Sequence, residues 1–163
     1  MAVDKKISEL TELAAAPASN DMLLIVDTSV GDNKKISASN LGGGAWTAYT
    51  PTTTGWAATP TTTGTKYIRI GNTIIYTFVV SGTSNAVSAI VSLPVNNKAG
   101  TYSYEGTLGV AQDNGTLITT ACRTVIDPGT DVTYVRCYKD MVSAAWTNSG
   151  AKLVRGTIIY EVA

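Results

Sequence analysis

Few residues in this chain are equipped for chemistry. Beyond position 44 the carboxylates are Glu105, Asp113, Asp127, Asp131, Asp140 and Glu161. A depolymerase or glycosidase needs two of them positioned across one bond. Asp113, Asp127 and Asp131 instead fall in turn signals, where aspartate ordinarily bonds to the backbone. Asp127 and Asp131 flank one turn and could hold a cation, but two carboxylates make a weak site. The chain has no histidine. That excludes Ser-His-Asp triads, Cys-His dyads and the zinc sites that need imidazole. Cys122 and Cys137 are too few for a tetrathiolate centre. The expectation is a protein that is not an enzyme and uses no cofactor or metal.

The totals narrow the partners. The 163 residues carry 12 basic and 12 acidic side chains, 15% of the composition. No field of either sign is available to hold nucleic acid or an anionic membrane. The longest apolar run, Met22 to Val26, is far too short to cross a bilayer. Lys5 and Lys6 are followed by Glu9 and Glu12 rather than by an apolar stretch, so no signal peptide is read. The expectation is a soluble protein made in a cytoplasm. Its length suits one ordinary domain, or a small domain with an appendage.

The elements divide at Gly42-Gly43-Gly44, a short flexible linker. After it the chain reads as antiparallel β structure, with no convincing helix. Tyr67–Ile70, Gly71-Asn72 and Thr73–Phe78 form a hairpin signal with glycine first in a type II′ loop. That centring sets Ile68 opposite Ile75 and Tyr67 opposite Tyr76. Ser88–Leu93 is a further strand. Asn114-Gly115 and Pro128-Gly129 mark two more hairpins. Lys152–Val162 is a long closing strand. About eight strands at this spacing predict an all-β antiparallel sandwich or jelly-roll-like knob over residues 45–163.

Two details test that reading. Thr50-Pro-Thr-Thr-Thr-Gly55 recurs as Thr59-Pro-Thr-Thr-Thr-Gly64. Pro removes a ladder donor and Thr favours extended backbone, so both copies read as extended loops or edge strands. An even loop centred between Gly129 and Thr130 sets Cys122 opposite Cys137 and Arg123 opposite Arg136. The arginine pairing is unfavourable, so either the register slips or the two splay apart. A cross-strand disulfide is geometrically demanding, and a reducing cytoplasm opposes it, so packed free thiols are expected.

Residues 1–41 are unlike the rest. Ile7, Leu10 and Leu13 recur every three residues, as in a short helical turn. Met22–Thr28 is an apolar strand, Gly31-Asp32-Asn33 a turn, and Lys35–Asn40 a partly alternating strand. A helical turn plus one hairpin buries too little to fold alone.

The stretch KKISELTELAAAPASNDMLLIVDTSVGDNKKISASNL, residues 5–41, resembles the N-terminal module of many tailed-bacteriophage tail, neck and head-fibre proteins. The matching residues are Ile7, Ser8, Glu9 and Leu10, then Asp21–Asp27, then Lys34–Ser37 and Leu41. Further on, WTAYTPTTTG, IGNTIIYTFVVSGTS and SAIVSLP are similar to small β domains of phage fibre and decoration proteins. The resemblance implies a virion-attachment segment followed by a projecting knob that trimerises. Its implied partners are its own copies and another virion protein of the capsid, neck or tail. The anchor residues would be Ile7, Leu10, Leu13, Met22, Leu23, Leu24, Ile25, Val26, Ile36 and Leu41, with strand addition as the docking mode.

The alternative expectation is a receptor- or glycan-binding module. Trp56, Tyr102, Tyr104 and Trp146 are its candidate sugar contacts, since aromatic rings can stack on saccharides and bond at their polar edge. For each of them, burial in the knob or an interface is the simpler role. Trp56, between the two Thr-Pro repeats, is the one most expected on a loop.

Overall fold

A computed structural model of the chain describes residues 22–27, 32–37, 45–97, 103–127 and 132–162. The chain divides into Met1–Gly44 and Ala45–Ala163. In the first unit, β1 (Met22–Asp27) pairs antiparallel with β2 (Asp32–Ser37), from Met22 opposite Ser37 to Asp27 opposite Asp32. Asp32 and Asn33, expected in a turn, begin the second strand instead. The expected helical turn at Ile7, Leu10 and Leu13 lies outside the described residues, as do Leu41 and Tyr102.

The second unit is all-β and antiparallel, with no helix among its described residues. Its strands are β3 (Thr47–Ala48), β4 (Thr53–Thr54), β5 (Lys66–Ile70), β6 (Thr73–Thr83), β7 (Ile90–Ser92), β8 (Tyr104–Asp113), β9 (Thr116–Leu117), β10 (Cys122–Ile126), β11 (Tyr134–Cys137) and β12 (Ala151–Glu161). They form one sheet in the order β3-β5-β6-β12-β8-β10-β11-β7-β4, with β9 on β8.

The spine is β6 against β12, paired from Thr73–Glu161 to Thr83–Ala151. Strand side chains alternate between faces. Ile74, Tyr76, Phe78 and Val80 of β6 are fully buried, as are Val154, Ile158 and Tyr160 of β12. Burying one such side chain stabilises by about 1.5–3 kcal/mol. The hairpin between β5 and β6 has the predicted pairs Ile68–Ile75 and Tyr67–Tyr76. Gly71 takes the positive φ, 60°, that a type II′ loop asks of its first residue. Asn114-Gly115 closes β8 onto β9 with both residues at positive φ, the type I′ pattern.

The sheet must curl. Nine strands laid flat would set β3 and β4 about 38 Å apart, at about 4.8 Å per step. Yet only residues 49–52 join them, and the five residue steps from Ala48 to Thr53 reach at most about 18 Å. Tyr49 sits in that joint. Its hydroxyl donates to the Leu93 carbonyl at 2.9 Å and lies 2.8 Å from Ser92 Oγ. Its ring meets Tyr67 and Tyr76 edge-on, with centroids 6.4 and 5.9 Å away. One side chain thereby bonds to the end of β7 while packing on β5 and β6.

The two Thr-Pro copies are extended as expected but occupy different places. Thr53 and Thr54 pair with β7, while Thr61 bridges to Ser81 at the end of β6. The cysteine register differs from the symmetric one. Thr124, not Cys122, faces Cys137, and Val125 faces Arg136. The slip separates the arginines across the ladder. Arg123 pairs its guanidinium with Glu105, and Arg136 stacks on the Tyr134 ring. Both thiols are free and buried.

Replacing Tyr49 by Phe keeps the ring and deletes the hydroxyl that joins the sheet's ends. It should cost about 1–2 kcal/mol, because the Leu93 carbonyl loses a donor. Urea denaturation of the two proteins measures this. An unchanged midpoint would remove Tyr49 from the closure.

Candidate functional site

Lys152 is the most unusual side chain among the described residues. The buried positions of β12 are even-numbered, and Lys152 sits in phase with them, 1% exposed. An ammonium there must find acceptors, because burying an unpaired charge is very costly. Its Nζ donates to three backbone carbonyls, Gly55 at 3.0 Å, Ala86 at 2.8 Å and Ser88 at 2.8 Å. Two indole rings face it, Trp56 at 5.3 Å and Trp146 at 5.7 Å from the ring centroids. Both contacts lie within cation–π range. Burial pulls the ammonium down to about 8, against the opposing pull of the Asp113 carboxylate. It remains charged at neutral pH.

The surroundings are built for this cage. Gly55 has φ 106°, a conformation that favours glycine. A Cβ placed on it would lie 2.0 Å from the Ser88 carbonyl oxygen. Its own carbonyl therefore reaches both Lys152 and the Asn85 amide, 3.2 Å away. Trp146 Nε1 donates to the Cys137 carbonyl at 2.7 Å, fixing its ring. Trp56 and Trp146 are 7% and 2% exposed. Each spends a ring face on the ammonium. Neither offers an open platform: Trp56 lies outside the strands, as expected of a loop residue, but both rings are buried, the simpler role, and not placed for sugar contact.

The other candidates are dispersed. Tyr104 is half-buried and packs on Tyr160, with centroids 6.3 Å apart. Tyr160 is eight residues from Lys152 along β12, about 27 Å at strand rise. The structure thus unites Trp56 with Trp146 and leaves Tyr104 elsewhere. Met22–Val26 and Ile36 lie in β1 and β2 of the first unit.

Glu105, Asp113 and Asp140 have structural partners, while Asp131 lies outside the described residues. Asp113 accepts from Lys139 Nζ at 2.9 Å, from Thr147 Oγ1 at 2.8 Å and from the Thr147 amide at 3.0 Å. Burial alone would raise its pKa, but these bonds outweigh it and hold the carboxyl below its usual range. Asp140 accepts from the Val142 and Ala144 amides, as turn aspartates do. Among the described residues no group of three or more His, Cys, Asp or Glu could hold a metal ion. Burial pushes the thiols of Cys122 and Cys137 up, further from the reactive thiolate.

Comparison with the models of known protein families and with curated protein sequences gives no match. What the chain does is therefore argued from its own residues.

Two predictions follow from the cage. Lys152→Met takes the ammonium from three carbonyls, leaving that of Ser88 without a donor while Gly55 keeps the Asn85 amide and Ala86 the Ser84 hydroxyl, and should cost about 1–3 kcal/mol at pH 7. Between about pH 8 and 10.5 the unfolded chain binds more protons at Lys152 than the folded one. Stability contributed by this residue therefore rises with pH across that window. Denaturation of wild type and variant at pH 7.5 and pH 10 should show the gap between them widening. Gly55→Ala should destabilise far more than Gly64→Ala. Both glycines have positive φ, but a Cβ on Gly64 meets nothing within 4 Å. Thermal unfolding should show about 1 kcal/mol for Gly64→Ala and several-fold more, or no folded protein, for Gly55→Ala.

Proposed function

We propose that this chain is a non-enzymatic structural protein of a tailed-bacteriophage virion, a short head or tail fibre or a decoration protein. Residues 1–41 dock it to another virion protein, and residues 45–163 project as a knob. The observation that carries the reading is the division at Gly44. On one side lies a two-stranded hairpin, formed by the part of the sequence that resembles phage attachment modules. On the other lies a sheet curled around its own core. A two-stranded sheet is marginal by itself in water, so the hairpin needs a surface to complete it. Strand addition to a neighbouring protein supplies one.

In this reading the knob's curled sheet is layered as in a sandwich or jelly roll, and three copies associate through the knob. The protein is made in the host cytoplasm and ends in the virion. The described carboxylates with assigned partners serve turns and ion pairs, which suits a display role.

Light scattering coupled to size exclusion tests this on the full chain and on a chain lacking residues 1–41. The expected molar mass is that of a trimer for both. Monomers in both samples would remove the fibre reading. A trimer only in the full chain would move self-association from the knob to the leader.

A further inference from the structure

The outer face of the spine holds a groove that the display role does not use. It has a volume of about 800 Å³ and is lined by Thr63, Lys66, Thr77, Thr107, Arg155 and Thr157, among others. These residues come from neighbouring strands at matched heights. Lys66 pairs with Thr77, and Thr77 with Thr157, across β5, β6 and β12. Val79 pairs with Arg155 in the next row. The groove thus presents hydroxyls between two cations that stand two strands apart, about 10 Å in the pairing direction.

Neither cation is neutralised. Among the described residues, neither Lys66 nor Arg155 has an ion-pair partner, and the Thr63, Thr107 and Thr157 hydroxyls bond to no protein group. Among the described residues no acidic side chain lines the groove. The Lys66 ammonium sits 4.9 Å from the ring centroid of Trp46, which is 46% exposed. An aromatic surface therefore stands beside the groove through Lys66.

The floor is interrupted at one point. Arg155 pairs with Val110 and Gly156 with Leu108, so Gly109 is an extra residue in β8. Such bulges re-aim neighbouring side chains and recur beside binding sites. Gly109 needs no special φ, and a Cβ there would meet only the Arg155 carbonyl oxygen, at 3.9 Å. A larger residue would fit the backbone, yet glycine leaves the floor open.

We propose that this groove binds an acidic saccharide chain. Arg155 would take a sugar carboxylate in a bidentate pair, Lys66 would meet a second anionic group, and the threonine hydroxyls would bond to sugar hydroxyls. Nucleic acid fits poorly, since backbone binding draws on many phosphate contacts and the groove presents two cations. The proposal goes beyond the display reading. It stands on different residues, so failure of the trimer leaves it intact.

The test is calorimetric titration of the full chain with oligogalacturonate, with neutral dextran and inorganic phosphate as comparisons. Oligogalacturonate should bind and dextran should not. Arg155→Gln should weaken binding at least about tenfold, the scale of one charged hydrogen bond. Gly109→Glu should do the same by placing a negative charge on the floor, with thermal unfolding confirming that it folds. Arg69→Gln removes an exposed cation of β5 outside the groove and should leave affinity unchanged. No binding of oligogalacturonate overturns the proposal, as does binding that survives Arg155→Gln or is lost equally in Arg69→Gln. Phosphate binding as tightly as the saccharide would assign the groove to small anions and also overturn it.

Discussion

The ammonium of Lys152 joins parts of the knob that sequence keeps far apart. It gathers carbonyls from Gly55 and from the segment after β6, and it draws Trp56 and Trp146 to one point. A methylene-rich stem with a charged end can do this where an aliphatic residue cannot. The stem packs in the core while the end bonds to three loop carbonyls, of which that of Ser88 has no other donor. The loops around residues 55 and 86–88 also hold each other through the Asn85 amide on the Gly55 carbonyl and bond to the chain near Trp146 through the Val87 carbonyl. Their conformation is set by a charge on the central strand, and Gly55 is the conformational cost of bringing a carbonyl that close.

The second constraint is geometric. The sheet's path begins and ends within a few residues of one chain segment, so the strands are obliged to wrap. Wrapping gives the sheet an inside and an outside. The inside takes Phe78, Val80, Val154 and Ile158. The outside keeps threonines and isolated cations. The bulge at Gly109 lies on the central strands, where bending is needed, and bulges are a common way for a strand to bend.

Much of this was legible in the sequence, and the reasons are local. The β5–β6 hairpin was readable because Gly71-Asn72 fixes a turn type, and a turn type fixes a register. Asn114-Gly115 worked in the same way. Pro128-Gly129 placed its two strands, but Thr124 rather than Cys122 came to face Cys137, because a loop of that length does not dictate one register. Lys152 left a signal that went unread: it shares the even-numbered phase of Val154, Ile158 and Tyr160. Trp56 was placed on a loop but could not be placed around Lys152, because a tryptophan between two Thr-Pro segments has no periodic context to say which core residues it meets. The curl itself was invisible, since it depends on which strands become neighbours, and that is a property of the whole chain.

The short joint at residues 49–52 has one more consequence. The terminal strands of the curled sheet, β3 and β4, are two residues each. A sheet invites other chains to extend it in proportion to the length of its free edges. The two terminal strands of the second unit offer little such edge, although β3 covers only Lys66 and Tyr67 of β5. The hairpin has six-residue strands that, among the described residues, pair only with each other. Within one chain, short terminal strands in one unit thus contrast with a hairpin of longer strands in the other.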